Sequence, residues 1–234
     1  MTTTLSRLPR TPWRAAKDTI HAFQAFAAKA YGRPIGGLKT DLQVNGKDVI
    51  FFHNPKSGGT SLGKFLNVSR RTHVRPFEIL SEKSWLNSYV IVVVRDPFER
   101  FLSCYYGNVV RPGSNGLTKR YGHKIKDASP SEFLRVLLEN PKFGGLQSQW
   151  TNYPCVSKPY ADLILKFEDI QSWPEILTSH GIDVGGRELS HHNKSERSTS
   201  DHLKRLGMTN EDFSALKREI RTFYDEDYKQ FKYE

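Results

Sequence analysis

The chain has 234 residues, a formal net charge of +10 and 37% hydrophobic residues. This length and composition suit one folded α/β domain, and two cysteines, Cys104 and Cys155, are too few for a disulfide framework. The positive charge is either a solvated basic surface or an attraction for an anionic cofactor, an acidic glycan or both. No zinc-finger spacing, RNP-like aromatic motif or helix-turn-helix pattern accompanies it, so no nucleic acid is expected as a partner.

Residues 1–40 are predicted to form a basic amphipathic extension with a linker, separate from a domain at residues 41–234. Asp18 is the single acidic residue among several basic ones in this segment. The spacing of apolar residues from Trp13 to Tyr31 places them on one face of a helix. A helix packed on the domain, peripheral membrane contact and an organelle transit peptide all stay open. The chain has no run of 18 apolar residues, so we expect no transmembrane segment and a cytoplasmic or otherwise soluble protein.

Residues 50–61 are predicted to form a buried strand, a glycine turn and the start of a helix. The turn and helix start consist of Pro55-Lys56-Ser57-Gly58-Gly59-Thr60-Ser61. The two glycines free backbone N–H groups to converge on an anion, the helix N-terminus adds its dipole, and Lys56 adds a mobile positive charge. In a Walker A loop the lysine follows the glycines, whereas Lys56 precedes them. The segment therefore predicts a cradle for a phosphate-like group on a donor other than a nucleoside triphosphate.

A second strand-to-helix junction is predicted around Arg95. Tyr89 to Val94 form an apolar, β-branched run typical of a strand buried on both faces of a parallel sheet. Asp96 suits an N-cap and Pro97 the first helical turn, and the helix is expected to stop before Gly107. Arg95 thus leaves the carboxyl end of a strand, which is the edge where open α/β sheets bind ligands.

The remaining segments continue the alternation of strands and helices. The predicted elements are a short strand or extended segment at Thr72 to Pro76, a helix capped by Ser129 and Glu132, a strand from Ala161 to Phe167, a helix from Trp173 to His180, and a last helix from Thr209 to Phe223. This alternation predicts an α/β fold, P-loop-like and three-layered, with a central parallel sheet flanked by helices.

Two motifs carry a resemblance to a known family. Pro55 to Ser61 resembles the 5′-phosphosulfate loop, and Arg95-Asp96-Pro97 through Arg100 to Ser103 resembles the 3′-phosphate motif, of sulfotransferases that use 3′-phosphoadenosine-5′-phosphosulfate (PAPS). The likeness is strongest to membrane-associated carbohydrate sulfotransferases, including the uronosyl 2-O-sulfotransferases, and extends over roughly residues 48–234. The missing transmembrane run departs from the animal members of that family.

The resemblance implies a role for each motif residue. PAPS is the expected cofactor, bound by Pro55, Lys56, Ser57, Gly58, Gly59, Thr60, Ser61, Arg95 and Ser103. Lys56 is expected to stabilise the leaving phosphate, while Arg95 and Ser103 hold the 3′-phosphate with a fixed fork and a hydroxyl. No metal is required, because lysine, arginine and backbone amides supply the positive field.

Histidine is the usual general base near neutral pH, and the chain has eight. We favour His73, because Thr72 to Phe77 resembles the strand end that bears the catalytic histidine of uronosyl 2-O-sulfotransferases, although Arg71 replaces the first histidine of that pattern. Glu168 is a weaker base candidate and His53 an expected strand-end residue behind the loop. A polar segment at residues 191–197 resembles the family's cofactor-closing loop, so Lys194, Ser195 or Arg197 are further candidates for cofactor contact.

Two functions of different classes remain. The first is an enzyme that moves a sulfuryl group from PAPS to a hydroxyl, most readily on a carbohydrate. The second is a non-catalytic basic module that binds an anionic glycan or membrane on a nucleotide-binding fold. Intact Lys56, Arg95 and Ser103 favour the enzyme. The acceptor itself is not predicted, since the aromatic residues that could stack on a sugar suit the core better: Tyr105, Tyr106, Trp150, Tyr153 and Tyr160.

Overall fold

A computed structural model describes residues 38–68, 73–110, 116–140, 144–153, 157–187, 189, 201 and 206–234. These residues form a four-stranded sheet in the order β1-β2-β3-β4, comprising β1 (Lys39–Val44), β2 (Lys47–Phe52), β3 (Ser88–Val94) and β4 (Leu163–Lys166). Strands β2, β3 and β4 run parallel, whereas β1 pairs with β2 in the antiparallel direction. The predicted α/β fold is therefore confirmed, with an antiparallel edge strand added to the parallel sheet.

Helices connect the strands. In the described ranges they are α1 (Gly59–Phe65), α2 (Pro76–Ile79), α3 (Glu82–Leu86), α4 (Pro97–Tyr105), α5 (Gly116–Ile125), α6 (Pro130–Leu138), α7 (Ser148–Thr151), α8 (Trp173–Ser179), α9 (Asn210–Phe223) and α10 (Asp225–Phe231), with a π-helical turn at Tyr106–Val110 and a 3-10 helix at Phe167–Ser172. None of these helices combines the length and the apolar character that crossing a lipid bilayer requires.

The sheet is buried on both faces because its central strands are apolar from Val49 to Phe52 in β2 and from Val90 to Val94 in β3. Successive side chains of a strand point to opposite faces. Phe51 packs on the side covered by α1 and α8, whereas Ile50 and Phe52 pack against Trp85 and Trp150 on the other side. This arrangement gives the three layers that the uninterrupted apolar runs predict.

The first hairpin was not predicted, although its turn carries the usual signal. Asn45 and Gly46 both adopt left-handed backbone conformations, with φ of 49° and 74°. An Asn-Gly pair of this kind joins two antiparallel strands through a two-residue turn. Leu38, just before β1, is buried, so the sheet begins slightly ahead of the predicted domain start at residue 41.

Three predicted helix starts are confirmed, and each of them has a side-chain cap. Asp96 accepts a hydrogen bond from the Glu99 N–H at the start of α4, Ser129 and Glu132 form a capping box at α6, and Thr209 caps α9. Two boundaries differ from the prediction. The chain after α4 passes Gly107 in a π-helical turn, and the described part of the segment at residues 72–76 is extended until Pro76 begins α2.

Candidate active site

The structure brings the two predicted motifs to one edge of the sheet. Strands β2 and β3 are parallel neighbours with Phe52 opposite Val92. The loop at residues 53–58 leaves the carboxyl end of β2, and Arg95 leaves the carboxyl end of β3. Both motifs therefore open on the side where α/β sheets bind ligands.

Two aromatic rings pack closely against the glycines of the loop. Gly58 has a φ of 77°, and a methyl group on it would lie 2.3 Å from the ring of Phe167. A methyl group on Gly59 would lie 2.1 Å from the ring of His53. Each glycine is thus required for packing as well as for the turn, since a side chain at either position would displace an aromatic ring.

The other predicted loop residues differ in what they leave accessible. Pro55, Ser57 and Ser61 are buried, Thr60 is exposed and Lys56 is half-buried. The Ser57 hydroxyl accepts a hydrogen bond from Asn54 at 3.0 Å, so it is engaged within the protein. In the described part of the chain, no hydrogen bond of standard geometry engages the backbone N–H groups of residues 57–60, so they are available to an anion.

Arg95 is a buried cation with part of its hydrogen-bonding capacity unused. Its guanidinium donates to Glu99 at 3.2 Å and lies 4.6 Å from the ring centre of Phe167. The Nε atom is buried and has no acceptor among the described residues. Burial lowers the pKa of Arg95, while the carboxylates of Glu99, Glu168 and Asp96 oppose that shift. An anion bound at Nε, in addition to the Glu99 carboxylate, would offset the remaining free-energy cost of burying the guanidinium charge.

Ser103 lies on the same face of α4 as Glu99, the ion-pair partner of Arg95. Residues four apart in a helix share a face, and Ser103 stands four residues after Glu99, the partner of Arg95. Ser103 is half-buried. The predicted fork-plus-hydroxyl pair therefore shares one side of α4.

One side chain that the sequence did not predict joins the two motifs. The amide of Gln147 accepts from the Arg95 N–H at 2.9 Å and donates to the Arg95 carbonyl at 2.7 Å. Asn54 donates to the same Gln147 oxygen at 2.9 Å. Arg100 donates to Asn54 at 3.3 Å and to the Gly145 carbonyl at 2.7 Å. Arg100, a member of the second motif, is thus a structural residue.

Asp227 anchors this network from the C-terminal end of the chain. Its buried carboxylate accepts hydrogen bonds from the backbone N–H groups of Gln147 at 2.9 Å and Ser148 at 3.3 Å. Burial raises the pKa of Asp227, and Arg100 opposes the shift. The sequence did not predict the link between Gln147, Asn54 and Asp227, because Gln147 lies 93 positions from Asn54 and 80 from Asp227.

The predicted base lies beside the glycine loop. The rings of His73 and His53 are 4.4 Å apart between centres, and Nδ1 of His73 lies 3.3 Å from the backbone oxygen of His53. His53 in turn packs against Gly59. The alternative base, Glu168, accepts from the Asp96 N–H and from the Tyr233 hydroxyl, both at 2.9 Å, so its carboxylate is engaged within the protein.

The aromatic candidates for sugar stacking separate into two groups. Tyr105, Trp150 and Tyr153 are buried in the core, whereas Tyr106 is half-buried and Tyr160 is 53% exposed. Several other predictions fall outside the described residues: residues 1–37, Arg71, Thr72, Cys155, His191, His192, Lys194, Ser195 and Arg197. Within the described ranges, no group of three or more His, Cys, Asp or Glu side chains is arranged to hold a metal ion.

Gln147→Leu tests the link between the motifs. The apolar leucine leaves the Arg95 N–H and carbonyl and the Asn54 amide without this partner, in a fully buried position. We expect a loss of about 2–4 kcal/mol in the free energy of unfolding, since each buried unsatisfied group costs about 1–3 kcal/mol. Urea denaturation measures it. The matched control is Gln149→Leu, which removes one half-buried bond from Arg75; equal losses in both variants would refute the link.

Comparison with known proteins assigns the chain to a family. Residues 41–234 match the model of the Sulfotransferase family, so the match covers most of the chain and includes both motifs. Comparisons with curated proteins and with solved structures found no significant match. The chain belongs to the sulfotransferase family.

Proposed function

We propose that the protein transfers a sulfuryl group from PAPS to a hydroxyl acceptor, most readily on a carbohydrate. The observation that carries this proposal is a buried, incompletely paired arginine at the same sheet edge as a lysine-containing glycine loop. Family membership supports sulfuryl transfer in general. The donor, the acceptor class and the residue roles below are the proposed parts.

The donor's two charged ends match the two motifs. Arg95 offers its unused Nε to the 3′-phosphate, and Ser103 on the same side of α4 offers a hydroxyl. The backbone amides of residues 57–60 and Lys56 receive the 5′-phosphosulfate. Phe167 contacts both Gly58 and Arg95, so one ring lies between the two anchoring groups. ATP lacks the 3′-phosphate that Arg95 would bind.

Lys56 acts on the leaving group of the reaction, and His73 acts on the acceptor. When bound, PAPS supplies an activated sulfuryl group, whose bond to the bridging phosphate oxygen breaks as the acceptor oxygen bonds to sulfur. Lys56 neutralises the charge that gathers on the leaving phosphate. His73 takes the proton from the acceptor hydroxyl. Positioning and charge stabilisation thus carry the catalysis, with no metal required.

The acceptor class rests on the family resemblance and on charge. A net charge of +10 favours an anionic acceptor chain over a neutral small alcohol. The carbohydrate proposal is tested by a screen of acidic glycans beside small alcohols, with sulfate transfer from PAPS as the readout. Transfer to small alcohols alone would contradict the acceptor class, and no transfer to any hydroxyl would favour the non-catalytic module.

Arg95→Ala tests the donor. We expect the affinity for adenosine 3′,5′-bisphosphate to fall about 10- to 100-fold, since a charged hydrogen bond contributes about 1.5–3 kcal/mol. Binding of adenosine 5′-phosphosulfate, which has no 3′-phosphate, should change far less. Isothermal titration calorimetry measures both nucleotides, with ATP as a reference that binds the wild type weakly. Arg187→Ala, which removes an arginine paired with Asp41 on β1, is the matched control for charge. Equal losses for both nucleotides would contradict the assignment of Arg95.

His73→Ala tests the base. We expect turnover at pH 7 to fall about 100-fold or more, with donor binding retained, because proton removal by a positioned base contributes at least that factor. His180→Ala is the control, since His180 bonds Tyr89 at the amino end of β3, away from the site edge. Initial rates between pH 6 and pH 8 measure the effect. A His73→Ala profile that overlays the wild type would remove His73 as the base.

A further inference from the structure

The π-helical turn at Tyr106–Val110 places an unusual piece of backbone beside the glycine loop. Turns of this kind are rare and occur often at functional sites. The buried Asn108 fixes the turn, because its amide donates to the Cys104 carbonyl at 2.6 Å and its oxygen lies 3.3 Å from the Thr118 hydroxyl. The turn is therefore held by side-chain hydrogen bonds to two neighbouring segments.

Gly107, in this turn, faces the end of the Lys56 side chain. A methyl group on Gly107 would lie 2.8 Å from Nζ of Lys56 and 3.8 Å from its Cε. The ammonium group thus occupies space that any other residue at position 107 would fill. Gly122 in α5 gives the contrast, since a methyl group there would meet nothing within 4 Å.

The backbone of Lys56 adopts an uncommon conformation. Lys56 has a φ of 66°, in the left-handed region that residues with a Cβ atom rarely adopt. Such conformations persist only where the surrounding structure imposes them, and they concentrate at functional sites. A long lysine side chain has many rotamers, so a fixed place for its ammonium needs a wall of defined shape.

We propose that Gly107 is a positioning residue for Lys56, because its missing side chain leaves room for the ammonium to point at the donor's leaving phosphate. This inference rests on the proposed function, in which Lys56 stabilises that phosphate. The backbone of the π-helical turn forms the surface against which the ammonium lies, and the hydrogen bonds of Asn108 hold that backbone in place.

Gly107→Ala is the direct test. The atom that the new methyl group meets is the far end of a flexible side chain, so the ammonium should yield and the fold should remain. We expect kcat for sulfate transfer from PAPS to fall about 10- to 100-fold, as for a misplaced catalytic group, while the KM for PAPS and the affinity for adenosine 3′,5′-bisphosphate change much less. Gly122→Ala, in open space, should keep the wild-type kcat.

A double-mutant cycle with Lys56→Ala separates positioning from a general structural effect. In the Lys56→Ala background, Gly107→Ala should cause no further loss, because no ammonium remains to be displaced. The same fractional loss in both backgrounds would overturn the inference, as would a melting temperature of Gly107→Ala well below that of the wild type. Wild-type turnover in Lys56→Ala alone would refute the proposed function, whereas full activity in Gly107→Ala beside a Lys56→Ala variant with a strongly reduced but measurable kcat would refute only the role of Gly107.

Discussion

The site depends on one buried amide that holds two strand ends together. Beyond the last paired residues of β2 and β3, Gln147 bonds both backbone groups of Arg95 and also receives the Asn54 amide. Buried backbone groups at a strand end need partners, and here a side chain supplies them in place of another strand. Since Asp227 holds the backbone of Gln147 in turn, the glycine loop, Arg95 and the C-terminal helices form one connected unit. The relative position of the two anion-binding motifs follows from this connection.

Three cations near this unit illustrate how similar charges take different roles. Arg100 is satisfied by Asn54, the Gly145 carbonyl and the ring of Tyr224, so it serves the structure. Arg95 is buried with an unused Nε, and Lys56 is half-buried against Gly107. Burying a charge without full compensation is costly, which makes an incompletely paired arginine a reason to expect an anion. The motif's two arginines therefore differ: Arg100 is fully engaged within the fold, whereas Arg95 keeps one donor for the ligand proposed above.

Local signals predicted much of this architecture. The apolar runs of β2 and β3, the caps Asp96, Ser129 and Thr209, and the glycine-lysine loop all depend on neighbours a few residues away. Features set by distant partners were missed. Gln147 bonds to Arg95 and Asn54, which lie 52 and 93 positions before it in the sequence. Phe167 packs on the loop from the 3-10 helix after β4, and the turn after α4 is held by the later Thr118. The β1 hairpin is the exception, because its Asn-Gly turn was a local signal.

We propose that the loop at residues 55–61 and Arg95 bind opposite ends of one nucleotide. The decisive experiment is a crystal structure of the protein with adenosine 3′,5′-bisphosphate. We expect the 3′-phosphate within about 2.7–3.2 Å of the Arg95 Nε, and the 5′-phosphate at the backbone amides of residues 57–60 near Lys56. A nucleotide bound elsewhere, or one bound here with the Arg95 Nε still lacking an acceptor, would refute this binding mode.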